Sequence, residues 1–469
     1  MNIMKKINLT LILVFLINLI CAQKESNVWY FGYNAGITFN TNPPSSLPPG
    51  PIFIDEGCSS ISDSSGNFLF CSDGVTVWDS NHDTMPNGTG LYGSYSSSQS
   101  CLIVPYPGNN SKYYVFTAPE MGAGNSLSFS LVDLTLNNGF GDVTNKNTPL
   151  LANSTEKVTA VYHSNGNDIW VLGHTFHSII FYAYLITDTG INMTPVISSV
   201  GSYHGPPADQ NIGCLKFSPC GDKLAAAVSY GGFLELYDFD NSTGIVSNPI
   251  LLGNYSGNVP SVFGVEFSPD GSRLYASYPN GNLLTQYDLT AGSPSAIIAS
   301  CDTIYYVPLG AIPATLQNGP DGQMYVARAF QNKVACIKNP NQLGAACNFT
   351  LNYITLGANS CMIGLPNFLT SYFCDLNVGV EDLNINNNEI SIFPNPFTAN
   401  FTITIQKQNL KHAIFTIKNI LGQTVFTEQE NNISNSYTKT IDLRFLSKGI
   451  YLLEVNSDEE AMVRKIVKE

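Results

Sequence analysis

The 469-residue chain is too long for one ordinary small domain, and a hydrophobic fraction of 44% with 26 Phe and 24 Tyr allows a sizeable core. Charged residues make up only 12%, against about 25% in ordinary soluble domains, so the polar surface falls to Ser, Thr, Asn and Gly, which argues against long surface helices. A formal net charge of −14 with only 21 Lys and Arg repels phosphate backbones and anionic membranes, and so sets nucleic acid aside as a partner.

Residues 1–22 read as a signal peptide. Lys5 and Lys6 give the positive start, and Ile7 to Ile20 the apolar run, broken only by Asn8, Thr10 and Asn18. Ala22 is the small residue before a cut at Gln23. The run is shorter than the ~20 residues a spanning helix needs. Cys21 is a conceivable lipid site, but Ile20 is a poor neighbour for that attachment. Export implies an oxidising compartment. Ten of the 11 cysteines remain once Cys21 leaves, and an even number there favours disulfides. Cys58/Cys71, Cys214/Cys220, Cys336/Cys347 and Cys361/Cys374 are near enough in sequence for local bridges. No tight Cys-x-x-Cys pair points to zinc.

Residues 23–375 carry a loose repeat with a spacing of about 40–57 residues, the range of propeller blades. The clearest units begin Cys214-Leu-Lys-Phe-Ser-Pro-Cys-Gly-Asp and Val265-Glu-Phe-Ser-Pro-Asp-Gly-Ser. Each has a second strand (Leu224–Tyr230; Leu274–Tyr278) and a third ending in Tyr237-Asp238 or Tyr287-Asp288. Weaker copies are Asn318-Gly-Pro-Asp-Gly and Ser62-Asp-Ser-Ser-Gly-Asn. Pro fixes φ and Gly accepts positive φ, so each motif sets a tight turn between alternating strands. Blades are predicted to start near Ser59, Cys101, Lys157, Gly213, Phe263 and Ala311. Two incomplete units, Val28–Asn40 and Gly364–Phe373, would share a seventh blade and close the ring, removing open edges. The predicted fold class is therefore all-β: a propeller of about seven blades, then a small Ig-like β-sandwich. The units resemble surface propellers of the YVTN/lactonase-like group over Asn27 to Asp375, through motifs that are generic.

A polar linker, 376–389, precedes a change of texture. Residues 390–469 open with Ile390-Ser-Ile-Phe-Pro-Asn-Pro-Phe and continue as alternating strands, a sandwich pattern. Pro394, Asn395 and Pro396, the Gly422-Gln423 turn, and Gly449 and Tyr451 in Leu446-Ser-Lys-Gly-Ile-Tyr-Leu occur in the order found in the type A C-terminal sorting domain of the type IX secretion system, which this segment closely resembles. The resemblance implies passage across the outer membrane of a Gram-negative bacterium, the secretion machinery and its sortase as partners, and attachment to surface lipopolysaccharide or release.

Local catalytic motifs are missing: there is no His-Glu-x-x-His, Gly-x-Ser-x-Gly or phosphate loop. His174 and His177 are three apart, hence on opposite faces of a continuous strand, and share a metal only if a turn intervenes. His163 and His204 are further candidates for a channel cluster. Asp55, Glu56, Asp63 and Asp73 suggest Ca²⁺, but Asx turns explain Asp63-Ser-Ser-Gly-Asn more simply; no other cofactor is expected. Trp29, Trp78 and Trp170 have strand-like contexts and are assigned to packing. Tyr92, Tyr95, Tyr106 and Tyr203 lie in Gly/Ser/Pro-rich stretches and are the candidate ligand contacts. The leading expectation is a non-enzymatic recognition or scaffold module for an extracellular glycan or protein. The alternatives are a secreted hydrolase or lyase acting on a polysaccharide or lactone, and a structural part of an adhesion or gliding apparatus.

Overall fold

Short alternating segments broken by Gly, Pro, Asn and Asp turns form antiparallel meanders along the whole computed structural model. It describes residues 24–374 and 390–468, apart from 121–125, 206–211, 230–231, 255–260, 307–311, 396, 407–411, 420–423, 432–435 and 457–460. The expected signal peptide (1–22) and linker (376–389) lie outside the described residues. The chain divides into two compact units, with the division after Asp375.

In the first unit, seven sheets follow one another among the described residues. Blade one has three strands, Val28–Phe31, Ala35–Thr38 and Ser45–Ser46. Blades two to seven start with the inner strands Ser59–Ser62, Cys101–Tyr106, Ser154–Tyr162, Leu215–Phe217, Val265–Phe267 and Pro313–Asn318. Each inner strand packs on the next in this order, and Val28–Phe31 packs on Ser59–Ser62. The outermost strand of blade seven, Phe349–Thr355, meets Ser45–Ser46 of blade one, so the sheets form a ring. This is a seven-bladed β-propeller, with blade starts close to those read from the repeat.

The repeat motifs have a local cause. The Ser218 hydroxyl accepts the N–H groups of Asp222 and Lys223, and the Ser268 hydroxyl accepts that of Arg273 at 2.8 Å. Gly221 and Gly271 hold φ of +77° and +73°, which closes the turn. The Tyr-Asp endings follow from register: Lys223 lies opposite Asp238 and Arg273 opposite Asp288, and both pairs form ion pairs.

The segment Ser360–Cys374 takes the inner position of blade one, as the two incomplete units suggested. It does so without a regular ladder, because Pro366 has no N–H to donate. Tyr33 and Ser360 exchange backbone hydrogen bonds, and Asn367 N–H donates to the Cys58 carbonyl at 2.7 Å. The segment then reaches across the axis to blade four. Asn367 Nδ2 donates to Val158 O at 3.1 Å, Thr370 Oγ1 donates to Ala160 O at 2.9 Å, and Ser371 Oγ accepts Tyr162 N–H at 2.9 Å.

A disulfide joins Cys220 to Cys374 across 154 residues. This corrects the local pairings Cys214/Cys220 and Cys361/Cys374. An inner strand begins at one rim of the ring and ends at the other. Cys214 and Cys361 therefore lie at the rim where inner strands start, and Cys220 and Cys374 at the opposite one. Cys58, Cys71, Cys336 and Cys347 are likewise unbridged and buried. Cys336 and Cys347 face opposite sides of their sheet: Cys336 packs with Tyr325 and Val334, while Cys347 packs with Ala335 and Ile337.

The second unit is a sandwich. Ile390–Phe393, Asn400–Gln406 and Ser436–Asp442 form one sheet. Thr424–Asn431, His412–Asn419, Gly449–Asn456 and Ala461–Lys468 form the other. Phe401, Ile403 and Ile405 from the first meet Phe415, Ile417 and Leu453 from the second in one core. Asn395 Oδ1 accepts the N–H of Val467 at 2.8 Å, tying the opening of this unit to its last strand. Tyr451 is buried and its hydroxyl donates to Ser447 O at 2.8 Å; Gly449 begins the same strand. Pro394 adjoins Asn395, whereas Pro396, Gly422 and Gln423 lie outside the described residues.

Cys374→Ser should cost the propeller about 4–5 kcal/mol, because the bridge closes a long loop in the unfolded chain. Calorimetry should then show a Tm lower by about 5 °C, and reduction of the wild-type protein should reproduce the shift.

Candidate functional site

The meander assigns each connection to a rim. Inner strands start, second strands turn into third, and fourth strands end at one rim, called here the upper. The Ser-Pro-x-Gly turns and the disulfide occupy the lower rim. The chemistry-bearing side chains that long-range folding assembles are on the upper rim.

A cavity of about 240 Å³ opens there between blades five, six and seven. Ile212, Phe263, Ile312, Ala314 and Ile363 supply apolar walls, and Glu56, Ser229, Ser261 and Asn280 supply polar atoms. No Lys or Arg is among its described lining residues. Phe330 stands at its edge, 63% exposed, in a left-handed backbone conformation (φ +63°) that is costly for a bulky residue. Beside it, Gln331 and Cys361 form a backbone bridge, and Ser360 bridges to Tyr33. Tyr33 stacks on exposed Phe53 with centroids 4.0 Å apart and planes 6° from parallel. The Tyr33 hydroxyl donates to Asp55 Oδ1 at 2.7 Å. The cavity is thus continuous, through one strip of backbone, with an exposed aromatic face.

Glu56 is the one carboxyl among the described lining residues. Its Oε2 is buried without a hydrogen-bond partner among the described residues, while the Ser98 side chain opposes the upward shift of the carboxyl. Burial, with the negative charges of Glu156, Asp55 and Glu120 around it, pushes the carboxyl up to about 8. Glycines permit this placement: a Cβ on Gly364 would lie 1.7 Å from the Glu56 carbonyl oxygen, and one on Gly57 2.1 Å from Ser100 N. Glu156 accepts from both the amide and the hydroxyl of Ser98, at 3.0 and 2.9 Å. Burial pushes the ammonium of adjacent Lys157 down, with Glu156 opposing the shift.

At the seam of blades four and five, His174 and His204 are fully buried with ring centroids 3.8 Å apart. None of the four ring nitrogens has a hydrogen-bond partner among the described residues. Phe181 packs edge-on against His174 and Phe233 against His204. Burial, with the nearby Lys157 charge, pushes His174 down to about 3; burial and the charges of His174 and Lys157 push His204 well below its usual range.

The residues singled out in the sequence are scattered by comparison. Tyr92, Tyr95 and Tyr203 are exposed near upper-rim ends of blades two to four. Tyr106 is at the lower rim, stacked on Tyr114, its hydroxyl 3.3 Å from Asp188 O. His177 is exposed in the turn following His174, which is buried. His163 is at the lower rim, 3.2 Å from Ser242 O. The Asp63 carboxylate caps its own turn, accepting from Ser65 N, Asn67 N and Asn67 Nδ2. Asp73 likewise accepts from Val75 N and Thr76 N. Trp29 and Trp170 are packed in the blades. Sequence reading missed the cavity, Phe330, the Tyr33–Phe53 pair and the special position of Glu56; the only local signal was Asp55-Glu56 before a blade start.

Residues 391–469 match the family described as Secretion system C-terminal sorting domain. No curated protein matches the chain. Among solved structures, the chain is similar to the β-propeller domain of Cps50 (Swd1) from Myceliophteria thermophila, at 12% identity and TM-score 0.39 over 65% of this chain and 94% of that one. It is also similar to a Lactobacillus plantarum protein, at 10% identity and TM-score 0.39 over 82% and 98%. A third is a Bacteroides uniformis protein named as a proposed 6-phosphogluconolactonase, at 13% identity and TM-score 0.37 over 82% and 98%. The propeller assignment stands on this chain's own sheet order rather than on these likenesses. The protein is a β-propeller carrying a sorting tail. The tail marks it as a type IX secreted protein, bound for the cell surface or the extracellular space.

Two outcomes follow for the rim. The folded histidine pair binds fewer protons than the unfolded chain, where imidazoles titrate near 6.5. Its contribution therefore falls as pH drops from about 6.5 toward 3, by up to about 1.4 kcal/mol per unit per histidine. Denaturant titrations at pH 7.5 and 5.0 should show a smaller acid loss in His174→Phe/His204→Phe than in the wild type. Gly364→Ala should lower stability by about 2 kcal/mol or more through the clash with the Glu56 carbonyl, read in the same titrations.

Proposed function

We propose that the propeller is a recognition module displayed outside the cell, with the upper rim as its binding face and a glycan or protein as its ligand. The observation that carries this reading is the apolar-walled cavity joined to the exposed Phe330 and Tyr33–Phe53 aromatics. Flat aromatic faces and a preformed concave site with a few polar groups are what a rigid ring can offer a ligand without reordering itself. Tyr92, Tyr95 and Tyr203 extend the same rim. The sorting tail supports a route in which a sortase removes it and the propeller is attached to surface lipopolysaccharide or released.

A second reading, a hydrolase or lyase acting on a polysaccharide or lactone, is favoured by one observation: Glu56 is a buried carboxyl with a raised pKa, close to other carboxylates at the mouth of a cavity, the pattern of a general acid.

The test is retention of the secreted chain on glycan and peptide arrays. Specific retention that falls at least tenfold in Phe53→Ala/Phe330→Ala supports recognition by this rim. Release of soluble sugars without retention, abolished by Glu56→Gln, would replace it with the hydrolase reading.

A further inference from the structure

Resting on the upper rim as the binding face, we propose that its cavity binds a primary ammonium group on an aliphatic stem, the ammonium meeting the Glu56 carboxyl and the stem lying against the apolar walls. The argument begins with the charges that line the cavity. Among the described residues Glu56 is its one lining Asp, Glu, His, Lys or Arg, and the negative charges of Glu156, Asp55 and Glu120 surround that carboxyl. Lys157, the nearby base, is paired in the electrostatics with Glu156 and is not a lining residue. An anion entering would meet a carboxyl surrounded by carboxylates, with no Lys or Arg among the described lining residues. A neutral ligand would leave the negative surroundings of Glu56 uncompensated. A cation supplies the missing charge and, with three N–H donors, can bond the Glu56 carboxyl through its oxygen other than the shut-in Oε2.

The walls specify the rest of the ligand. Ile212, Phe263, Ile312, Ala314 and Ile363 give an apolar passage, with Ser229, Ser261 and Asn280 as the polar exceptions. A guanidinium fork needs both oxygens of a carboxylate, and Glu56 Oε2 is shut off from the cavity, whereas a compact ammonium needs only one. At about 240 Å³ the cavity has room for a stem of a few carbons. Phe330 at the edge, 63% exposed, can cover that stem as it leaves. The same chemistry occurs in free alkylamines and in the lysine side chain of a protein.

Binding should ionise Glu56 and release its proton, since the neighbouring carboxylates and burial keep it protonated near neutral pH in the free protein. Titration calorimetry of the full secreted chain with n-pentylamine should give saturable 1:1 binding. The heat should change between buffers of different ionisation enthalpy, reporting proton release, and affinity should rise from pH 6 to pH 8. The isostere 1-pentanol and the anion hexanoate should bind at least tenfold more weakly. Glu56→Gln, which copies the protonated side chain and keeps the fold, should lose at least tenfold in affinity for the amine. Its thermal transition at pH 7 should match the wild type. Phe330→Ala should lose several-fold with the buffer dependence intact. Tighter binding of Nα-acetyl-lysine amide than of n-pentylamine assigns the site to a protein's lysine, and the reverse order to a free amine. Equal binding of 1-pentanol, or unchanged amine binding in folded Glu56→Gln, overturns the inference. If the amine fails while array retention still depends on Phe53 and Phe330, the ammonium site falls and the recognition reading stands. If retention is also indifferent to those residues, both fall.

Discussion

Closing a ring of sheets turns seven inner strand edges toward one axis, and the polar groups along that edge must find partners where little water reaches. An unpaired buried backbone group costs about as much as a lost hydrogen bond. The segment 360–374 answers this constraint. Its backbone and side chains serve Tyr33 and Cys58 on one side of the axis and Val158, Ala160 and Tyr162 on the other. It is irregular because it serves partners in several directions, which a strand with two straight edges cannot do. The disulfide at its end then fixes the lower rim of blade five to the chain's exit from the propeller.

The same constraint explains the polar character of the axis. Lys216 and Glu266, both nearly inaccessible, sit 3.3 Å apart, and Lys216 Nζ also donates to Gln317 Oε1 at 2.7 Å. Gln99 bonds both backbone groups of Leu215, at 2.8 and 3.1 Å, reaching from blade three to blade five. A buried ion pair is a poor source of net stability, since desolvation offsets most of its attraction. Here each charge has further hydrogen-bond partners, and the pair joins inner strands of adjacent blades. Its physical effect is to fix which strands meet at the axis.

What was legible in the sequence is what depends on near neighbours. The Ser-Pro-x-Gly turn is a set of bonds within five residues, and the Lys223–Asp238 and Arg273–Asp288 pairs follow from hairpin register. Blade starts could therefore be read to within a few residues. The sorting tail was legible for the same reason, since its motifs recur in order within one small domain. The disulfide was misread because proximity in sequence was taken for proximity in space: in an extended strand, six residues carry Cys214 and Cys220 to opposite rims. The cavity was invisible because its lining comes from five separate places, Glu56, blades five, six and seven, and Ile363. His174 and His204 were both noticed, but their contact across 30 residues depends on the register of blade four, whose strand Ser178–Thr187 lies between theirs, rather than on any local pattern.

The two rims carry different burdens. On the lower rim, carboxylates are used up locally: Asp63 caps its own turn, and Asp238 and Asp288 pair across hairpins. On the upper rim, among the described residues, Glu56 keeps an oxygen without a partner and two histidines keep four nitrogens without one. A fold selected only for stability would pair such groups or replace them with apolar ones of similar shape. On the upper rim they stand alongside a strained Phe330, a stacked exposed aromatic pair and the cavity. Among the described residues, unpaired buried polar atoms occur elsewhere too, Arg273 Nε and Ser62 Oγ at the lower turns among them, so the physical ground for locating function on the upper rim is their coincidence there with a preformed cavity and exposed aromatic faces.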